Sequence, residues 1–269
     1  MALLTESPSL DRRNVGLQED GTRHLLPDLA YKRLFVVNVA FYGNPFGYEN
    51  WVLIDTGAPG TQASLQESAL RRFGGRAPSA IVLTHAHPDH MGGLNGLCDL
   101  WDVPVYAHSL EHPYIRGERG YASPDPGAGG GLLSRATLAR ELKHLAAERP
   151  LHALPEDGSV PFMPGWNWLH TPGHSAGHIS LWRESDRTLL AGDGLLTTSQ
   201  RSAYAVTCGS PELNGPPRTL TEDWDAARRS LTRLAALRPE LLVSSHGRAL
   251  SGESMRHGLD LLVTTFKPG

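Results

Sequence analysis

The densest chemistry in the chain is His85-Ala86-His87-Pro88-Asp89-His90, four potential metal ligands within six residues, directly behind the apolar run at 80–83. Imidazole nitrogen and carboxylate oxygen are the donors that zinc and its first-row neighbours prefer. A turn, which Pro88 helps to fix, lets alternate side chains converge as they could not on a straight strand or helix. Three further positions offer the same donors after apolar segments: His174 in Thr171-Pro172-Gly173-His174-Ser175-Ala176-Gly177-His178, Asp193 in Ala191-Gly192-Asp193-Gly194, and His246 in Ser244-Ser245-His246-Gly247. The flanking Pro and Gly residues shape tight loops and permit close backbone approach. Taken singly, a histidine or aspartate at a strand end is more often a hydrogen-bonded loop residue.

The elements needed to position these side chains are readable in outline. Residues 34–41 and 51–54 have strand character and are separated by the turn-forming stretch Gly43-Asn44-Pro45-Phe46-Gly47, which predicts a hairpin. A helix is expected over 64–73, stopped by Gly74-Gly75, then a short buried strand over 80–84, a helix over 91–100 and a strand over 103–107. Between 111 and 150 the composition turns to Gly, Pro and Arg before a helical pattern at 132–147, the mark of an inserted loop and helix. Strands are expected at 166–170, 179–182 and 188–191, an irregular stretch over 197–217, an amphipathic helix over 224–237, a last buried strand at 241–244 and a closing helix over 253–264. Residues 1–30 read as a loosely attached arm or an irregular first strand, and 31–269 as a single domain without a clear linker.

With 269 residues, 40% of them hydrophobic and 20% charged, and a net charge of -3, the chain has the composition of an ordinary globular protein. Its 25 basic against 28 acidic residues provide no basic face for nucleic acid. The apolar runs fall well short of the roughly 20 residues that a membrane span requires. The amino terminus lacks the basic start and apolar stretch of a secretory signal, so a cytoplasmic location is expected. Cys98 and Cys208 are too few for a disulfide framework and are expected to be free thiols.

Together the histidine and aspartate motifs resemble those of the metallo-β-lactamase superfamily over residues 34–264. That superfamily includes glyoxalase II, quorum-signal lactonases, persulfide dioxygenases and the β-lactamases. The resemblance implies an α/β fold, a four-layer αββα sandwich with the metals at one edge. It implies His85, His87 and His174 as ligands of a first metal, Asp89, His90 and His246 of a second, and Asp193 as a bridge between them. The cofactors implied are two divalent ions, zinc foremost, with manganese or iron(II) as alternatives. Asp55, in Ile54-Asp55-Thr56-Gly57, matches a further motif in which the aspartate supports the ligands from behind. It is otherwise a turn aspartate. Metal-bound imidazoles generally need an acceptor on the far ring nitrogen, and Thr84 and His178 are additional candidates for that support. His108, His112, His144, His152 and His257 fall outside the motifs and are expected to be structural or solvated.

The activity implied is hydrolysis of an ester, thioester or lactone carbonyl in a small molecule by a hydroxide bridging the metals, with Asp89 orienting the hydroxide or passing a proton to the leaving group. The alternatives are a mononuclear iron persulfide dioxygenase, a β-lactamase-like amide hydrolase, a nuclease and a non-catalytic metal protein. Departures narrow these. Only 23 residues follow His246, too few for the helical glutathione-binding domain of glyoxalase II. Asp193 stands where some β-lactamases carry a cysteine ligand, and Leu196 where the quorum lactonases carry a tyrosine. Specificity is expected to reside in 111–131 and 197–217, where Tyr114, Tyr121, Arg201 and Tyr204 are either substrate contacts or loop packing.

Overall fold

Short apolar runs between Gly- and Pro-rich breaks dominate the first half of the chain, and they assemble into one sheet. The computed structural model describes residues 16–47, 50–121, 144–145, 148–199, 211–218 and 220–267. Those up to Pro164 form one compact unit and those from Gly165 onward another.

In the first unit the strands β1 (Arg23–Leu26), β2 (Leu29–Leu34), β3 (Val37–Tyr42), β4 (Val52–Ile54), β5 (Ala80–Val82), β6 (Val105–Ala107) and β7 (Leu151–Ala153) lie side by side in chain order. β1 to β4 form an antiparallel meander, and β4 to β7 run parallel. Every residue of β4 and β5 is buried, as befits strands covered on both faces. The helix α1 (Gln62–Phe73) joins β4 to β5 and buries Leu65, Ala69 and Phe73, spaced by four along one stripe. It ends on Gly74, left-handed at φ 63°, whose N–H bonds back to the Leu70 carbonyl. Trp51 stacks on Phe73 with ring centroids 4.3 Å apart in the core of this unit.

The expected strand over 34–41 is broken. Leu34 pairs with Val37 across a two-residue turn at Phe35-Val36, with Phe35 at φ 57°, so that β2 and β3 form a tight hairpin. Residues 23–30, expected to be arm or irregular strand, make β1, with a register irregularity between His24 and Leu26, and the start of β2. Residues 1–15 lie outside the described residues.

The helix expected over 91–100 is two helices, α2 (Pro88–Met91) and α3 (Leu94–Trp101). The cause is tertiary. The loop after β4 crosses at Gly92, where an added Cβ would stand 2.2 Å from the Pro59 nitrogen and 2.5 Å from the Ala58 carbonyl carbon. That crossing is tied down by Gly92 N–H to the Gly57 carbonyl (2.8 Å) and Thr56 N–H to the His90 carbonyl (2.7 Å). Gly92→Ala should therefore lower stability by about 3 kcal/mol, at the upper end of overpacking penalties. Urea unfolding of the metal-free protein checks this, and an unchanged midpoint would refute the close approach.

After β6 come a 3₁₀ turn at Ser109–Glu111 and the short helix α4 (His112–Ile115). The helix expected over 132–147 lies, apart from 144–145, outside the described residues, as do Arg201, Tyr204 and Cys208.

In the second unit, β8 (Trp166–His170), β9 (Ile179–Arg183) and β10 (Thr188–Gly192) are antiparallel neighbours. A second, two-stranded sheet pairs β11 (Leu196–Thr198) with β12 (Pro211–Asn214), so the stretch expected to be irregular carries regular pairing at both ends. The helix α5 (Trp224–Ala236) opens on Asp223, whose carboxyl caps the Ala226 N–H at 2.9 Å. β13 (Leu241–Ser244) lies parallel to β10 and pairs on its other side with β14 (Leu250–Ser251). The helix α6 (Glu253–Thr265) closes the described chain. Trp182, Leu189, Leu231, Leu234, Leu242 and Leu259 belong to the core of this unit.

Among the described residues, no helix is long and apolar enough to cross a membrane.

Candidate metal centre

Parallel strands deliver the side chains that follow them to one edge of a sheet. In the first unit the neighbours β4, β5 and β6 are followed by Asp55, by Thr84 to His90 and by Glu111. Asp55 sits at φ 62°, and its carboxyl bridges the exits of β4 and β5. Oδ1 accepts the Thr84 N–H at 2.8 Å, while Oδ2 accepts the Thr84 hydroxyl at 2.8 Å and lies 2.9 Å from Nδ1 of His90. The carboxyl must be the acceptor, so the His90 proton is on Nδ1. Thr84 has spent its one hydroxyl proton on Asp55, so at 3.1 Å it accepts from Nδ1 of His85. Both rings thereby carry their lone pair on Nε2.

His85, His87 and His90 are buried. Their rings crowd together, with centroids 4.7 Å apart for His85 and His87 and 4.0 Å for His85 and His90. Asp89, half-buried, places Oδ2 3.7 Å from Nε2 of His90. Burying imidazole lone pairs side by side is costly unless a cation shares them, so this donor set fits a divalent metal.

In the second unit, His174 follows β8, Asp193 follows β10 and His246 follows β13. Asp193 is buried and divides its carboxyl between two histidines: Oδ2 lies 3.3 Å from Nε2 of His174 and Oδ1 lies 3.4 Å from Nε2 of His246. Both distances exceed the roughly 2.7–2.9 Å of a charge-assisted hydrogen bond. One carboxyl facing two imidazoles through different oxygens suits a bridging ligand.

His178 supports Asp193 through the backbone. Its Nε2 accepts the Asp193 N–H at 2.9 Å, which puts its own proton on Nδ1, 2.9 Å from the Thr171 hydroxyl and 3.1 Å from the Thr171 carbonyl. Gly192, at φ 56°, has room for no Cβ, which would stand 2.5 Å from that Nε2. The His174 loop is held as tightly. Gly173 adopts φ 135°, an added Cβ would lie 2.3 Å from the Ala227 nitrogen in α5, and its carbonyl accepts the N–H groups of Glu222 and Asp223.

The structure thus brings His85, His87, Asp89 and His90 together in one unit and His174, Asp193 and His246 in the other, with Asp55, Thr84 and His178 each bonded behind a donor. Sequence reasoning missed Glu111, which is fully buried and accepts the Ala86 N–H at 2.9 Å. The available signal was an acidic residue shortly after a buried strand, the position that also marks Asp55 and Asp193. Thr221, 3.4 Å from Nδ1 of His174, carried no signal. His108 and His144 bond to neighbouring backbone, and His152 packs on Tyr106, as expected of structural residues. Burial pushes the Cys98 thiol up to about 11, which makes it an inert core residue.

The model of the metallo-beta-lactamase superfamily matches residues 33–246. The chain is 40% identical over 229 residues to a Bacillus subtilis (strain 168) protein named probable metallo-hydrolase YflN, covering 85% of this chain and 87% of that one. It resembles in fold a β-lactamase domain protein from Burkholderia ambifaria, with TM-score 0.65 and 19% identity, over 96% of this chain and 80% of the other. It also resembles TTHA1623, solved in a di-iron-bound form, with TM-score 0.57 and 28% identity, over 87% of this chain and 96% of the other. Since the family match takes in all seven donors and the strands β5, β8, β10 and β13 that they follow, the chain belongs to the metallo-β-lactamase superfamily and has its αββα class of α/β fold.

Proposed function

We propose that the chain is a metal-dependent hydrolase in which His85, His87, Asp89, His90, His174, Asp193 and His246 hold two divalent ions, and that it attacks the carbonyl of an ester, thioester or lactone. The observation that carries the reading is the Asp193 carboxyl, buried and turned with one oxygen toward each of two histidines. The metallo-hydrolase named among its relatives and the di-iron form of another support the same reading. Bound metal supplies a water of lowered pKa and a Lewis acid for the carbonyl oxygen, so no serine or cysteine nucleophile is required.

The protein's own groups do the rest. Asp55 and Thr84 fix the tautomers of His90 and His85 so that Nε2 is the donor atom on each ring. His178 pins the Asp193 backbone, which sets where the carboxyl can reach. Asp89, the more open carboxyl of the set, would hold the proton released when water attacks and pass it to the leaving oxygen or sulfur. The substrate is a small molecule, since the near balance of acidic and basic residues provides no phosphate-tracking surface. Zinc is the expected metal, and a cytoplasmic location the expected setting.

The test is elemental analysis of protein purified without added metal, together with a panel of lactone, thioester, β-lactam and phosphodiester substrates. Two zinc ions per chain with turnover of carbonyl esters supports the reading. Removal of metal by a chelator should then abolish turnover, and addition of zinc, manganese or iron(II) should restore it. One iron per chain without hydrolysis would replace the reading by a mononuclear iron enzyme, and no bound metal would remove the ligand assignment itself.

A further inference from the structure

We infer that Glu111 is a positioning residue for the His85–His87 segment and that Tyr121 is its clasp; the inference rests on the reading that these two histidines bind metal. Glu111 is fully buried, and a carboxyl out of water is costly unless its oxygens accept hydrogen bonds. Although it immediately precedes α4, its side chain makes no capping bond to that helix. It reaches instead 25 residues back along the chain, where Oε2 accepts the N–H of Ala86 at 2.9 Å. The Tyr121 hydroxyl donates to the same oxygen and itself lies 3.3 Å from the Ala86 nitrogen.

The clamped amide belongs to the one residue between His85 and His87. His87 is extended at φ -66°, ψ 152°, and its ring centroid stands 4.7 Å from that of His85. Holding the Ala86 amide therefore fixes the peptide segment from which both flanking imidazoles spring. Tyr121 adds a second restraint: its ring lies against His87 with centroids 4.1 Å apart and is backed by Tyr114, stacked at 4.0 Å with planes 11° apart. The support is divided. Asp55 and Thr84 orient His90 and His85 through their ring nitrogens, whereas Glu111 and Tyr121 act on the backbone of Ala86 and on the face of His87. Tyr121, expected to touch substrate or pack a loop, is here part of the support for a ligand.

The experiment is a zinc titration against a competing chelator for wild type, Glu111→Ala, Glu111→Gln and Tyr121→Phe, with the melting midpoint of each metal-free protein measured alongside. Glu111→Ala should bind zinc about 10- to 100-fold more weakly, the usual effect of removing a support behind a ligand. Glu111→Gln keeps an amide oxygen for the Ala86 N–H and should return to within about fivefold of wild type, the scale of a charge-assisted hydrogen bond exchanged for a neutral one. Tyr121→Phe keeps the ring on His87, loses only the hydroxyl, and should fall between the two with an unchanged metal-free midpoint. It carries the comparison if the alanine variant does not fold. Zinc affinity equal to wild type in all three variants overturns the inference, and so does a lowered metal-free midpoint in Glu111→Ala with unchanged zinc affinity, which would make Glu111 a brace of the fold alone. Failure of the metal reading itself appears in the wild-type titration, before any variant is compared, and removes both.

Discussion

Asp55→Ala is expected to lose about 3–5 kcal/mol of stability, the scale of breaking a buried polar pair from one side, and to lose tight metal binding as well. The carboxyl has three partners, the N–H and hydroxyl of Thr84 and Nδ1 of His90, all buried. Alanine would leave each without its acceptor and would also have to hold the left-handed backbone at φ 62°, which aspartate tolerates better than most residues. Asp55→Asn separates the two effects. Its amide oxygen can still accept from Thr84, which should recover much of the stability, but its NH₂ then faces the protonated Nδ1 of His90, and the ring must turn. Urea unfolding of the metal-free variants and a chelator competition read the two effects independently. Wild-type metal affinity in Asp55→Asn would show that the tautomer argument is wrong.

Asp193→Ala is expected to reduce kcat/KM on the order of 10³-fold or more, about 4 kcal/mol of lost transition-state stabilisation. Its effect on stability should be the reverse of that at Asp55. In the metal-free protein the carboxyl lies 3.3 and 3.4 Å from the two imidazoles, beyond the length of a charge-assisted hydrogen bond, so its removal gives up little pairing and relieves the cost of a carboxyl held out of water. Asp193→Asn should be as inactive while leaving the backbone N–H on His178 undisturbed. Steady-state kinetics with a measured metal content settles the matter: an Asp193→Ala enzyme with full metal and full activity would remove the bridging role and with it the main support for a two-metal hydrolase.

Strands such as β5 and β13 were legible because a short apolar run bounded by polar residues has few other places to go. The cluster from His85 to His90 was legible because such ligand density rarely has a bland explanation. His174, Asp193 and His246 were visible only as donors at strand ends, and gained meaning when the motifs were read together. What escaped was long-range. The break at Gly92 is fixed by a loop more than thirty residues earlier in the chain, and the local sign of it, the pair Gly92-Gly93, was passed over when one helix was drawn through 91–100. The hairpin turn at Phe35-Val36 lacks the Asn-Gly or Asp-Gly signature that such turns usually display, so β2 and β3 merged into one expected strand. Glu111 escaped because its partner is a backbone amide in a different strand exit, and backbone amides have no letter in the sequence.

The seat of Gly173 against α5 has a consequence for how this protein can change. Its carbonyl takes the two N–H groups that lead into the helix, and its Cα lies against Ala227 with no room for even a methyl group. The helix and the His174 loop therefore share one register, as a shaft and the index pin that locks it. A substitution on the buried side of α5, at Leu231 or Leu234, that rotates or slides the helix would carry His174 with it. Core positions one and two turns along the helix from Ala227 are thus held to the tolerance of the metal site, and a lineage altering this helix would be tuning that site while seeming only to repack a core.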